Sequence, residues 1–281
     1  MVASTPVRTL KNCSRAYGCR VYGKLEIYNP TGSHKDRESE EIVRCALRKS
    51  IRDLAIASTG NAAISLAAYS YFQALKCHVY LPSSIAVERL VQIQAYHPTI
   101  KYAGTYEEAI AQCERDAEKK SLLNCNPGAR HEKIIGDSRI GIEIGMDFRP
   151  DYVVCPTNNG TLLAGVWLGL RKGGVKTRMV AAVTKKTKLA AAIAGFHRKE
   201  EPALSGTLKE SQGEVVEVSD SEIAEAARIL ISDGLIVEGA AAAGLASLKQ
   251  LKVTRKTEVC CVVTGGGLKF PESLKQLLAK R

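Results

Sequence analysis

Asn29-Pro30-Thr31-Gly32-Ser33-His34-Lys35-Asp36-Arg37 is the stretch on which the reading of this chain turns. It begins with turn residues and reaches Lys35 where a helix is expected to start. Behind it, Val21 to Ile27 alternates as a strand does. Ahead of it, Arg37 to Lys49 carries Ile42, Val43, Cys45, Ala46 and Leu47 on one helical face. A lysine at a strand-to-helix junction sits near unpaired backbone N–H groups and the positive end of a helix dipole. Both lower the cost of losing its proton, and a neutral amine is the form that attacks an aldehyde. Taken alone, the stretch reads first as an exposed lysine at a helix N-terminus.

Working outward, strands and helices alternate. Strands are expected at Ile51–Ala57, Cys77–Leu81, Ile100–Ala103 and Leu122–Asn124. Helices are expected at Asn61–Ala74, Ala86–Tyr96, Tyr106–Lys119 and Glu132–Gly145. Asp147 to Asp151 reads as a link. A second series follows, with strands at Tyr152–Cys155, Met179–Val183, Val215–Val218 and Val259–Val263. Its helices are Leu162–Leu170, Leu189–Phe196, one that runs to Ile231 from the N-cap signature Ser219-Asp220-Ser221-Glu222, Ala240–Leu251 and Glu272–Leu278, and residues 198–213 read as a charged loop. Strands separated by helices of this length imply parallel sheets covered on both faces. The expectation is an α/β protein of two doubly wound parallel-sheet domains, cut at 1–150 and 151–281. The cofactor site is expected in the cleft between them, with the short N-terminal segment packing on the second domain.

Three further segments carry chemistry. Ser58-Thr59-Gly60-Asn61 lies between a strand and a helix, as does Pro156-Thr157-Asn158-Asn159-Gly160-Thr161. Thr264-Gly265-Gly266-Gly267-Leu268-Lys269 follows the last strand. Backbone N–H groups at such junctions bind anions, although each segment alone also fits an ordinary capped turn. With the lysine stretch, they resemble the motifs of the pyridoxal-phosphate enzymes of the tryptophan synthase beta-subunit superfamily (fold type II), threonine synthase most closely. That family has Asn-Pro-Thr-Gly-Ser-Phe-Lys-Asp-Arg around its Schiff-base lysine, and eight of the nine positions match. The four motifs stand in family order.

The resemblance implies a role for each segment. Lys35 would be the Schiff-base lysine and the acid/base that moves the alpha-proton. Asn158, Asn159, Gly160 and Thr161 would hold the phosphate of pyridoxal 5′-phosphate, with Gly160 letting backbone N–H groups approach closely. Thr264 would face the pyridine nitrogen, which suits elimination and replacement chemistry. Ser58, Thr59, Gly60 and Asn61 would take the substrate carboxylate, and Asn61 also the cofactor's 3-oxygen. His34, where threonine synthases usually have phenylalanine, would touch the cofactor phosphate or tune the lysine, or else it is a packing histidine. Glu38 replaces a family glycine, Asn158 replaces another, and Glu238 lies in a segment resembling one that faces the cofactor. Lys269, Arg139, Arg130 and Ser33 are candidates for a substrate phosphate.

Composition excludes several classes. The chain has 281 residues, 45% of them hydrophobic, and no apolar run of membrane-spanning length. Its opening lacks the features of a secretory signal, so a cytoplasmic protein is expected. The net charge of +11 raises nucleic-acid binding, but the basic residues are scattered and aromatics are only 5%. Short clusters such as Lys185-Lys186 and Arg198-Lys199 read as a solvated surface. The nine cysteines show no C-x-x-C pair or tetrahedral set, so neither a disulfide framework nor a metal is expected.

By resemblance, the enzyme eliminates phosphate from O-phosphohomoserine and adds water to give threonine. Its partner would be a small amino-acid substrate, phosphorylated or not, and its assembly a homodimer. The alternatives are a serine/threonine dehydratase, a cysteine-synthase-like replacement enzyme, and a non-catalytic cofactor- or nucleic-acid-binding protein.

Overall fold

A computed structural model describes residues 2–126, 128, 130–194 and 202–279. The chain runs β1 (Val7–Thr9), α1 (Lys11–Tyr17), β2 (Arg20–Leu25), α2 (Lys35–Arg48), β3 (Asp53–Ala57), α3 (Asn61–Phe72) and β4 (Lys76–Pro82). It continues through α4 (Val87–Gln94), β5 (Thr99–Ala103), α5 (Tyr106–Lys119), β6 (Leu123–Asn124) and α6 (His131–Asp147). Then come β7 (Tyr152–Pro156), α7 (Thr161–Lys172), β8 (Arg178–Val183), α8 (Pro202–Ser211) and β9 (Glu214–Glu217). The last elements are α9 (Asp220–Ser232), α10 (Gly239–Ala246), β10 (Glu258–Val263) and α11 (Pro271–Ala279).

These elements form two compact units. Lys35–Gly128, with the first two residues, makes one, and Ala3–His34 with Ala129–Arg281 makes the other. The smaller unit holds a parallel sheet in the order β5-β4-β3-β6. The larger holds the order β1-β2-β10-β7-β8-β9, parallel except for β1.

In the larger sheet, side-chain alternation sends each strand into two cores. Val21, Val154, Val180, Val259 and Cys261 pack with α1, α9 and α10. Val153, Cys155, Met179, Cys260 and Val262 pack with α6, α7 and α8. Burial on both faces explains why these strands read as unbroken apolar runs. The nine cysteines are all buried and unbridged. Burial pushes the thiols of Cys77, Cys155 and Cys261 upward, and that of Cys260 to about 12, so they serve as small hydrophobes.

The structure divides the chain differently from the cut at residue 150. Helix α6 belongs with the second unit because its backbone lies directly against α7. A Cβ on Gly141 would meet the Val166 carbonyl oxygen at 2.0 Å, and one on Gly169 the Ser138 carbonyl oxygen at 1.9 Å. The boundary therefore falls before α6, and residues 147–151 are an ordinary turn inside one unit. The N-terminal strands also join this unit, because β2 pairs with β10 from the far end of the chain.

Two local expectations change as well. The expected helix at 189–196 is only a short 3-10 turn at Ala191–Ile193, and residues 195–201 lie outside the described residues. The expected loop at 198–213 contains α8. Pro202 occupies its first turn, where a missing N–H costs nothing, and Leu204 buries against the core of the unit.

Candidate active site

The lysine loop is built by the exits of two neighbouring strands. β2 and β10 run parallel with Leu25 opposite Val263, so the segments after them leave the same sheet edge side by side. Residues 31–34 consequently hydrogen-bond to residues 264–269. The N–H of His34 donates to the Thr264 carbonyl at 2.9 Å, and that of Gly266 to the Gly32 carbonyl at 3.1 Å. Ser33 and Gly265 form a bridge, and Lys269 Nζ donates to the Thr31 carbonyl at 2.8 Å. Gly32 turns the loop at φ 78°, where a side chain is disfavoured. Two motifs some 230 residues apart in the sequence are thus one hydrogen-bonded piece.

A third segment joins them. The N–H of Glu238 donates to the Gly265 carbonyl at 3.1 Å, and that of Gly267 to the Ile236 carbonyl at 3.0 Å. A Cβ on Gly267 would stand 2.6 Å from the Val237 carbonyl oxygen, so this glycine is needed for the approach of the two backbones. Thr264 is buried at 3% exposure.

The loop is also braced from within. Asn29 Nδ2 donates to Glu26 Oε2 at 2.6 Å and to the Ser33 carbonyl at 3.1 Å, while Thr5 Oγ1 donates to Glu26 Oε1 at 2.6 Å. Sequence reading had no place for Glu26 or Asn29 beyond strand and turn. Their signal was an acidic residue at the end of an apolar strand, three positions before an asparagine.

Lys35 is the first residue of α2, and its Nζ lies 2.5 Å from Glu38 Oε1. Glu38 is buried at 3% exposure. A carboxylate at this distance favours the charged form of the amine. It opposes the helix terminus, which favours the neutral form.

In the same unit as Thr264, residues 157–161 follow β7 and open α7. Thr157 is fastened by its N–H to the Ala182 carbonyl at 2.8 Å and by its hydroxyl to the Cys155 carbonyl at 2.8 Å. Asn158 Nδ2 donates to the Ala194 carbonyl at 3.2 Å, and Asn159 Oδ1 accepts from the Thr161 N–H at 3.2 Å. Asn158 is not left-handed; the left-handed residue is Gly160, at φ 81°. Thr161 Oγ1 is buried and has no hydrogen-bond partner among the described residues.

Gly160 is required by the fold itself. Its Cβ would sit 2.8 Å from the Leu204 Cβ. Gly160→Val is therefore expected to destabilise the cofactor-free protein by about 1–3 kcal/mol, through overpacking and a strained φ. A thermal or urea melt checks this, and an unchanged midpoint would contradict it.

In the smaller unit, Ser58–Asn61 connects β3 to α3. Ser58 Oγ accepts from the Gly60 N–H at 3.3 Å, and the Gly60 carbonyl accepts from Ala63 at 3.1 Å. Arg89, near the start of α4, places Nη1 3.4 Å from the Thr59 carbonyl oxygen and 3.5 Å from the position of a Gly60 Cβ. Sequence reading missed this cation because its contact crosses from one helix to the loop before another. Of the cations expected to meet a substrate phosphate, Lys269 contacts Thr31, and Arg130 pairs with Glu132 at 3.3 Å.

Comparison with known proteins fits this arrangement. Residues 1–265 match the family model described as "Pyridoxal-phosphate dependent enzyme". The chain is 30% identical to a threonine synthase of Halalkalibacterium halodurans, over 96% of this chain and 84% of that protein. It is 29% identical to a threonine synthase of Methanocaldococcus jannaschii, over 96% of this chain and 76% of that protein. Among solved structures it is similar to threonine deaminase isoform 2 from Solanum lycopersicum, with TM-score 0.86 and 18% identity, covering 98% of this chain and 83% of that one. Maize serine racemase gives TM-score 0.86 and 18% identity, with 98% and 92% covered. At that identity the structures speak for the fold alone. With a family model spanning nearly its whole length, the chain belongs to the pyridoxal-phosphate-dependent enzymes of fold type II.

Proposed function

We propose that this enzyme is threonine synthase-like, releasing phosphate from O-phosphohomoserine and adding water to form threonine. The observation that carries the reading is the likeness to threonine synthases along 96% of the chain. Pyridoxal phosphate, when bound, supplies an aldehyde for amines and a ring that stabilises negative charge at the substrate's alpha-carbon.

The residues present fit that group. In this reading the phosphate lies at the start of α7, where Thr161 Oγ1 is a buried hydroxyl without a partner among the described residues and a helix N-terminus favours an anion. Thr264 takes the ring nitrogen, on a loop already hydrogen-bonded to the lysine loop. Ser58, Thr59, Gly60 and Asn61 hold the substrate carboxylate, with Asn61 also toward the 3-oxygen, and His34 packs at the phosphate end.

Lys35 would hold the cofactor through its side-chain nitrogen, and for that it must be a neutral amine. Its proton must leave first, and Glu38 Oε1, 2.5 Å away, is the acceptor at hand. As a free amine Lys35 would take the alpha-proton, and it must pass that proton on before it can serve the beta-carbon. Glu38 steadies the ammonium that results. Arg89, beside Thr59 and Gly60, is the cation this reading assigns to the substrate's anionic end. The homodimer and cytoplasmic location implied by the resemblance belong to the same proposal.

A serine/threonine dehydratase is the second reading. It is favoured by Gly136-Asp137-Ser138-Arg139, which by the resemblance stands in place of a Gly-Gln-Lys-Thr-like family segment and carries a fully buried acidic residue, Asp137. A carboxylate there would repel a substrate phosphate. O-phosphohomoserine, threonine or serine, and an activated serine with a thiol should be offered separately, with phosphate, ketoacid and thioether assayed. Phosphate and threonine from the first substrate are expected. Ketoacid from threonine or serine, with no phosphate from O-phosphohomoserine, would replace the first reading by the second.

A further inference from the structure

We infer that Glu26 and Asn29 are positioning residues for Lys35, acting through the peptide that joins Ser33 to His34. The inference rests on the reading of Lys35 as the cofactor-bearing lysine. That peptide is held at both ends. Its carbonyl accepts from Asn29 Nδ2 at 3.1 Å, and its N–H donates to the Thr264 carbonyl at 2.9 Å. A peptide unit is planar, so fixing both polar ends fixes its orientation. Only the two torsions of His34 then separate it from the Lys35 backbone. Its His34 end leads to the lysine and is bonded to the residue proposed for the ring nitrogen, while its Ser33 end is held by Asn29. The point from which the lysine departs is thereby set by the protein before any ligand arrives.

The brace has a direction. Asn29 has two N–H groups on Nδ2 and gives one to Glu26 and one to Ser33. Glu26 accepts at both oxygens, from Thr5 and from Asn29. Glu26 is 0% exposed, Asn29 5% and Ser33 0%, so water offers no substitute partner. The strut ends on a backbone carbonyl next to the reactive lysine, which a brace serving only the strand end would not need.

The test follows from that direction. Cofactor-free protein is mixed with pyridoxal phosphate, and three things are recorded: the rate at which the visible band of lysine-bound cofactor grows, the circular dichroism of that band, and the melting curve before loading. Glu26→Gln and Asn29→Asp should each slow the growth of the band by about 10- to 100-fold, because small displacements of a reacting group carry penalties of that size.

Combining the two substitutions separates positioning from mere support. In the double variant the new amide at position 26 donates to the new carboxylate at position 29, so the bond between them returns with the same net charge. A carboxylate oxygen at position 29, however, now faces the Ser33 carbonyl in place of the amide N–H. The melting curve should recover towards wild type, while the band still grows slowly with altered dichroism. Recovery of the loading rate together with the melt would overturn the inference, as would single variants that load at the wild-type rate. If the single variants do not fold, Thr5→Val removes one support from Glu26 and leaves Asn29 intact. A lowered melt with an unchanged loading rate in Thr5→Val overturns the inference, and slower loading supports it. A colourless wild type would overturn the Lys35 reading and this inference with it. A wild type that loads, beside a Lys35→Ala protein that does not, keeps that reading intact whatever the brace variants do.

Discussion

Lys35→Ala is expected to be colourless after incubation with pyridoxal phosphate and to lose turnover by roughly 10,000-fold or more, the upper range for removing a positioned acid/base. The loss is expected to be that large because one side chain has two tasks. It makes the covalent link, and it is the base that moves the alpha-proton. No other lysine in the described residues begins a helix directly after the loop bonded to Thr264. Folding should be nearly unaffected, since the Lys35 side chain is 27% exposed. Removing it does leave Glu38 buried without this partner, so a modest fall in the melting midpoint is expected. The visible spectrum, a coupled activity assay and a melt decide the matter. A Lys35→Ala protein that keeps the band would mean that another residue holds the cofactor.

The largest stability effect should come from the contact of α6 with α7. A Cβ on Gly169 would fall 1.9 Å from the Ser138 carbonyl oxygen and 2.7 Å from the Ile142 nitrogen. On Gly165 it would fall 2.5 Å from the Asp137 Cβ. These are neighbours on or next to the backbone that cannot swing aside. Admitting a side chain would push the helices apart and open the core of Ile140, Ile144, Leu163, Val166 and Leu170 between them. Gly169→Val should lower stability by about 3 kcal/mol or more, at the upper end for overpacked cores. Gly206 offers the contrast: it lies inside α8, with nothing near its Cβ position. Gly206→Ala should raise stability by about 0.5–1 kcal/mol through helix propensity. Urea melts of both variants check the pair, and similar midpoints for the two would contradict the packing account.

Much of this was legible in the residues. Strand and helix period placed the elements because each is a local property, and the helix expected at 106–119 has those bounds in the structure, where it opens on a capping box of Thr105 and Glu108. The missed pieces depend on contacts between distant segments. Helix α8 hides behind Pro202, Gly206 and a charged surface; what favours it is Leu204 seated on Gly160. The cut expected at residue 150 followed the turn residues at 147–151, whereas α6 joins the larger unit through close backbone contacts with α7 that Gly141 and Gly169 permit. The motifs around Lys35 and Thr264 could be found one at a time. Their hydrogen bonds to one another follow from β2 pairing with β10, which no period in either strand reveals. Arg89 was passed over for the same reason, while the contacts of Glu26, Asn29 and Ser33 are local and join a strand end to a turn that was read for its lysine alone.

The central claim is that Lys35 holds pyridoxal phosphate covalently, and reductive trapping tests it most directly. Protein loaded with pyridoxal phosphate is treated with borohydride, which turns the link into a stable secondary amine, and is then digested and mapped by mass spectrometry. The account predicts the cofactor on the peptide containing Lys35, with fragment ions placing it on that side chain. Cofactor on a different lysine, or on none, would contradict it.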